Sequence, residues 1–347
     1  MKRSNMLVAV SGCAFRRAAG VLLVCSALVC ESAPNALAGG SVWIADSSDL
    51  QVAEILPNKL KHSGQPTEAV NESAAITDDP WGVCFDKKKN LWITDDSEQV
   101  LEFTSRQLKK LKANSNSPSP AVTISSSSFS NIIGCNFDSA GNLWLVDEGN
   151  KSVDEISTTQ LQAGGPINPP HRIITDSAEF DYPDFLAFDK SGNLWVSDEN
   201  ASSLLAFSPS QQASGGTQTA VVKISGGSLD DPGELAFDNH GNLWVTNYDG
   251  DTVVMFAKKD LGASGSPASA VTLSGAAFVG PWGLAFQNGN SGPLWILNYN
   301  DGTLNEFVPS QIMSSGSPTP KVSLSNTSSD AYQITFGPVD GKAGDSN

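Results

Sequence analysis

The chain has 347 residues, with 21 Lys and Arg against 37 Asp and Glu, a formal net charge of −16 at pH 7. A field of that sign repels phosphate backbones and anionic lipid, so nucleic acid is excluded as a partner. With only three histidines and no HExxH, Ser/His/Asp or Gly-rich phosphate-loop pattern, no motif commits the chain to a particular catalytic chemistry.

In chain order, residues 1–38 read as a cleavable signal peptide. Lys2, Arg3, Arg16 and Arg17 precede the apolar run 21–29, and Ala36, Leu37 and Ala38 form a small-x-small cleavage site. The run falls short of the about 20 residues that span a bilayer, so no stable membrane insertion is expected and the mature chain is periplasmic or secreted. Val10, Ser11, Gly12 and Cys13 offer a lipoprotein alternative. Without this segment 17 basic residues face 36 acidic ones, a net of −19. That charge keeps a protein soluble, and it also attracts cations and basic partners.

From there on the chain repeats. Trp43, Trp92, Trp144, Trp195, Trp244 and Trp295 recur at intervals of 49, 52, 51, 49 and 51 residues, each after Val or Leu in a short apolar run. Each copy holds four short runs rich in Val, Ile, Leu, Phe and Trp, bounded by Gly, Asn, Asp and Pro. The first two are joined by hairpin chemistry, as in Asp238 to Asn242. Four antiparallel strands without helical periodicity make a blade, and blades stack radially around a channel. The Trp residues, with Phe85, Phe137, Phe188, Phe237, Phe286 and Phe336, are read as packing between neighbouring sheets.

The two ends fit one ring. The first copy lacks its first strand, and residues 331–336 (AYQITF) supply one that aligns with PWGLAF and has no second strand after it. The expected architecture is an all-β, six-bladed β-propeller over 39–340, closed by the C-terminal strand joining the N-terminal blade. Its blades are 39–73 plus 330–337, 78–125, 131–176, 182–226, 231–275 and 280–326, followed by a 341–347 tail. The Ser, Gly and Pro-rich linkers, such as 263–270 and 314–320, read as flexible outer connections.

Outside the signal peptide the cysteines are Cys84 and Cys135, on first strands of adjacent blades. Offset by one position, they face each other as a disulfide or pack as two small buried hydrophobes.

Antiparallel alternation puts the start of each first strand and the loop after each Trp strand at one mouth of the channel. Asp46, Asp95, Asp96, Asp147, Glu148, Asp198, Glu199, Asn247 and Asn298 therefore ring that mouth, each also suited to capping its own loop. Where the repeats disagree, a function has room to be written. Two successive first-strand positions read Trp81, Ile133, Asp184, Gly233, Trp282, Tyr332 and Gly82, Gly134, Phe185, Glu234, Gly283, Gln333. The candidate ligand-binding set is Trp81, Asp184, Glu234, Trp282, Tyr332 and Gln333. Carboxylates beside aromatic faces suit sugar hydroxyls, a cation over rings, or an oxygen-ligated ion such as Ca²⁺.

The strand pair PWGLAF at 281–286 and GNLWVTN at 241–247 resembles the NHL-repeat class of six-bladed propellers, related to the senescence-marker-protein/gluconolactonase and streptogramin (virginiamycin B) lyase-like groups. In the lactonases, the resemblance implies a divalent metal at the axial mouth held by Glu, Asn and Asp. The counterparts by blade position are Glu234, Asp184, Asn247, Asn298 and Asp198. The streptogramin lyases use His and Glu with Mg²⁺, and no histidine falls at this mouth. RNA-binding members use a basic face, which this chain lacks.

Two functions follow. The first is a monomeric, exported binding module for a protein, glycan or small ligand at an acidic, aromatic-lined mouth. The second is a divalent-metal-dependent, lactonase-like hydrolase or a lyase acting on a small molecule.

Overall fold

The computed structural model describes residues 40–47, 50–66, 70–71, 79–111, 119–175, 180–325, 327 and 331–337. Residues 1–38, read above as a signal peptide, and the 341–347 tail lie outside the described residues. Six antiparallel sheets form the blades of a propeller. From the axis outward, blade 4 runs Pro183–Phe188, Leu194–Asp198, Ser203–Phe207 and Val222–Ser225, and the other blades repeat that order. Ala331–Phe336 pairs with Val42–Asp46, matching Trp43 to Thr335 and Ile44 to Ile334, so the last strand is the inner strand of blade 1 and the ring is closed.

Burial explains why the repeat carries so much Val, Leu and Trp. Every residue of the Trp strand is buried in all six blades, because both faces of each blade pack on a neighbour. Each Trp is 1–3 % exposed. Its ring meets the inner-strand Phe of the next blade at 6.0–6.2 Å between centroids, in the pairs 43–85, 92–137, 144–188, 195–237, 244–286 and 295–336. Edge and tilted contacts of this kind add about 0.5–1.5 kcal/mol each beyond area burial.

An Asp at the inner hairpin orients four of these tryptophans. In blade 4, Asp189 Oδ1 accepts from the Ser191 and Asn193 N–H at 2.8 and 2.9 Å. Its Oδ2 accepts from Asn193 Nδ2 at 2.8 Å and Trp195 Nε1 at 3.4 Å. Asp86, Asp138 and Asp238 reach Trp92, Trp144 and Trp244 in the same way. Blade 6 has Gln287 there, and Trp295 Nε1 is buried without an acceptor. The hairpin Asn also holds the connection beyond the third strand: Asn90 and Asn142 accept from the Ser105 and Thr158 N–H.

Those connections depart from the sequence reading. Three contain short helices, Ser105–Leu111, Thr158–Ala163 and Pro209–Ser214, too short for an apolar period to register. Ser157/Gln160 and Ser208/Gln211 cap two of them reciprocally. The Gly-rich linkers, expected as flexible outer-edge connections, do lie at the outer edge but are bridged to the strand of the preceding blade. Gly64, Gly165, Gly216, Gly265 and Gly316 bridge in parallel to Leu324, Ile124, Ile174, Ile224 and Leu273. Gly316 N donates to Thr272 O and Ser274 N to Gly316 O, both at 2.9–3.0 Å, while Ser315 Oγ accepts from the Thr272 N–H. A glycine lets the backbone approach that closely, and an edge that would template aggregation is covered.

Cys84 and Cys135 are joined across the blade 2 to blade 3 interface, with Cα atoms 6.0 Å apart and 51 residues apart in sequence.

Two stability changes follow. Asp189→Ala should lower stability by about 1–3 kcal/mol through a buried indole N–H left unpaired, with exposed Ser191→Ala within about 0.5 kcal/mol, both read from denaturant midpoints. Cys84→Ser should cost about 2–4 kcal/mol by the same measurement, since the bridge closes a long loop.

Candidate functional site

Every inner strand breaks register with its Trp strand near its start, as between Pro183 and Leu186 in blade 4. The bulge turns the two inequivalent positions toward the axis and the mouth. The inner strands crowd there. A Cβ on Gly82 would lie 2.3 Å from Ile133 O, and one on Gly134 2.7 Å from Asp184 O, so only glycine allows those backbones to meet.

The inner strand is also a sheet edge, and its free N–H groups need acceptors. Glu234 and Gln333 supply them, each 6 % exposed. Glu234 Oε2 accepts from the Leu284 N–H of blade 6 at 2.6 Å and the Ile334 N–H of blade 1 at 3.4 Å. It also bonds to the Gln333 side chain. Gln333 Oε1 accepts from the Val83 N–H of blade 2 at 2.8 Å. These two side chains tie four blades across the axis. Burial pushes the Glu234 carboxyl up to about 8 against these hydrogen bonds, which favours its protonated form.

Trp81, Trp282 and Tyr332 come together in an aromatic wall. Trp81 lies on Tyr332 at 4.2 Å, and Trp282 meets Tyr332 at 6.0 Å. Two residues that the sequence reading passed over complete it: Tyr248 is 4.9 Å from Trp282, and Tyr299 is 5.5 Å from Tyr332. Tyr248 is held by its hydroxyl donating to Asn300 Oδ1 at 3.0 Å. Both tyrosines stand four residues past a Trp, and that register was the signal available in the sequence. The indole N–H groups of Trp81 and Trp282 are buried without an acceptor.

Asp184 joins a different group. It is 1 % exposed and hydrogen-bonds to Glu199, which in turn bonds to Asp231. Glu148 accepts from the Tyr182 hydroxyl beside them. Burial raises the Asp184 carboxyl well above the usual carboxylate range, with Glu199, Glu148 and Asp231 adding repulsion. Burial, then Asp231, pushes Glu199 up to about 7. Glu148 and Asp231 are also raised, again chiefly by burial. Asp184 Oδ2 accepts no hydrogen bond.

The metal set implied by the family resemblance is not assembled. Asp198, 0 % exposed, accepts from the Asp181, Tyr182 and Ala201 N–H groups at 2.7–3.2 Å. Asn247 Oδ1 accepts from the Asp230 N–H and Asn298 Oδ1 from the Val279 N–H. Their amide nitrogens donate to Ser228 O and Ala277 O. These are loop caps, and with Glu234 committed to backbone donors the set does not fit a divalent ion. Among the described residues no group of three or more His, Cys, Asp or Glu side chains could hold a metal. The histidines lie elsewhere: His171 beside Glu155 at 3.4 Å, His240 in the hairpin at the opposite end, and His62 in the first linker.

No protein-family model matches the chain, and no curated protein matches it. Solved structures do match in fold. A streptogramin B lyase structure aligns at a TM-score of 0.56 and 11% identity over 86% of this chain and 84% of that one. A protein of unknown function from Bacteroides caccae gives 0.61 and 12% over 85% and 98%. The nidogen/laminin complex gives 0.60 and 14% over 87% and 99%. The chain is thus similar in fold to lyase-like and NHL-like six-bladed propellers. At these identities the likeness is one of fold alone.

Glu234 generates a pH prediction. Its folded value lies above the ordinary carboxylate range, so its contribution to stability is complete below about 4.5 and is lost as pH rises through about 8. The wild-type unfolding free energy, read from denaturant midpoints, should fall between pH 5 and pH 8 more steeply than that of Glu234→Gln, by at most about 1.4 kcal/mol per pH unit. Parallel curves would remove the assignment.

Proposed function

We propose that this chain is an exported, non-catalytic propeller that binds a ligand at the mouth formed by the inner-strand starts and post-Trp loops. Export draws support from the basic, apolar and small-residue order of residues 1–38 and from the joined Cys84 and Cys135. The carrying observation is that the blades, alike in their cores, differ at the mouth. An aromatic wall of Trp81, Tyr248, Trp282, Tyr299 and Tyr332 and a carboxyl wall of Glu148, Asp184, Glu199 and Asp231 interrupt an otherwise repeating pattern. Packing demands the repeated Trp, Phe and Asp, and nothing in packing demands this asymmetry.

A second reading draws on the Asp184–Glu199 pair. Two hydrogen-bonded carboxyls, one pushed up to about 7, resemble a poised acid/base, and such a pair could serve a hydrolase or lyase acting on a small molecule.

Both are tested on one panel of oligosaccharides, peptides, aromatic fragments and lactones, followed by saturation-transfer NMR. Compounds that bind should be lost or weakened about tenfold in Tyr299→Ala and retained in His240→Ala at the opposite end. Binding indifferent to Tyr299 would sink the mouth reading. Lactone turnover abolished by Glu199→Gln would favour the catalytic one.

A further inference from the structure

The mouth is divided, and the division names a ligand class; the step rests on the mouth being the functional site. Four residues past each Trp, blades 3 and 4 carry Glu148 and Glu199, whereas blades 5 and 6 carry Tyr248 and Tyr299. On the inner strands, Asp184 in blade 4 and Trp282 in blade 6 flank Gly233, which brings no side chain between them. The Tyr248 N–H donates to Asp231 O at 2.9 Å, so the acidic and aromatic walls meet at blade 5.

The acidic wall is short of donors. Asp184, Glu199 and Asp231 are linked by hydrogen bonds, and the groups acting electrostatically on Asp184 are the carboxyls of Glu199, Glu148, Asp231 and Asp198. Lys151, the basic residue paired nearby, is engaged with Asp181 at 2.8 Å. Asp184 Oδ2 is a buried oxygen that accepts no hydrogen bond, and among carboxyls that repel one another a donor carrying positive charge is favoured over a neutral one. A bare divalent ion does not meet that demand, because no group of three or more His, Cys, Asp or Glu side chains among the described residues is arranged to hold a metal. The aromatic wall offers ring faces, which attract a weakly hydrated alkylammonium more readily than a hydrated metal.

We propose that this mouth binds an organic cation: an ammonium group seated on Glu199 and Asp231 above Asp184, with an apolar or aromatic body against Tyr248, Trp282 and Tyr299. The ammonium supplies the missing donors and the charge, and the rings cover the body at little entropic cost because Tyr248 is already held by Asn300.

The test compares matched probes on the mature protein by calorimetry: phenethylamine, 2-phenylethanol, phenylacetate and calcium chloride. Phenethylammonium should bind at least about tenfold tighter than the alcohol, and phenylacetate should show no binding. Glu199→Gln should remove the preference for the amine over the alcohol. Tyr299→Ala should weaken both together, with near-UV circular dichroism confirming that each variant folds. Equal affinity for amine and alcohol overturns the cation assignment and leaves the mouth as a binding site. Calcium binding without amine binding, or no binding by any probe, also overturns it. The wider glycan, peptide and fragment panel then decides separately whether the mouth is a site at all.

Discussion

The ladder between Ala331–Phe336 and Val42–Asp46 joins the two ends of the described propeller, and the remaining structure depends on it. A blade with apolar residues on both faces is stable only between two neighbours. Were that ladder open, Trp295 would lose Phe336 and the bonds from Ile334 N to Glu234 and from Val83 N to Gln333 Oε1 would be lost with it. Closure thus sets the geometry of both the core and the axis.

Crowding at the axis turns a sixfold repeat into an asymmetric site. Six inner-strand edges converge, so backbone packs on backbone where glycines stand, and the unpaired N–H groups take what acceptors are near. Glu234 and Gln333 serve that need, and they act as ties across the channel. The positions one residue earlier escape it and spread toward the mouth, where Asp184, Trp282 and Tyr332 meet the loop residues Glu199, Tyr248 and Tyr299. Comparing repeats in sequence singles out Glu234, Gln333 and Asp184 equally, since all three depart from the pattern. What distinguishes them is which strand each side chain faces.

The outer rim follows the same logic. Ser-Gly-Ser-Pro stretches carry no apolar period and look like spacers, yet each lies on the exposed edge of the blade before it. Glycine content reports freedom in an isolated chain. In the ring it reports close approach of two backbones.

The sequence by itself determined the class of fold, the number of blades and the strand that closes the ring, because a repeat of about fifty residues with one buried Trp each admits few solutions. It also placed the mouth loops, through the alternation of antiparallel strands. Only the tertiary structure decided that Asp198, Asn247 and Asn298 cap loops, that Glu234 is spent on backbone, and that Asp184 faces Glu199 of its own blade together with carboxyls of both neighbouring blades. The reason is one of separation. Glu148, Asp184, Glu199 and Asp231 come from three blades, and the distances between blades depend on how sheets pack, which no local pattern encodes.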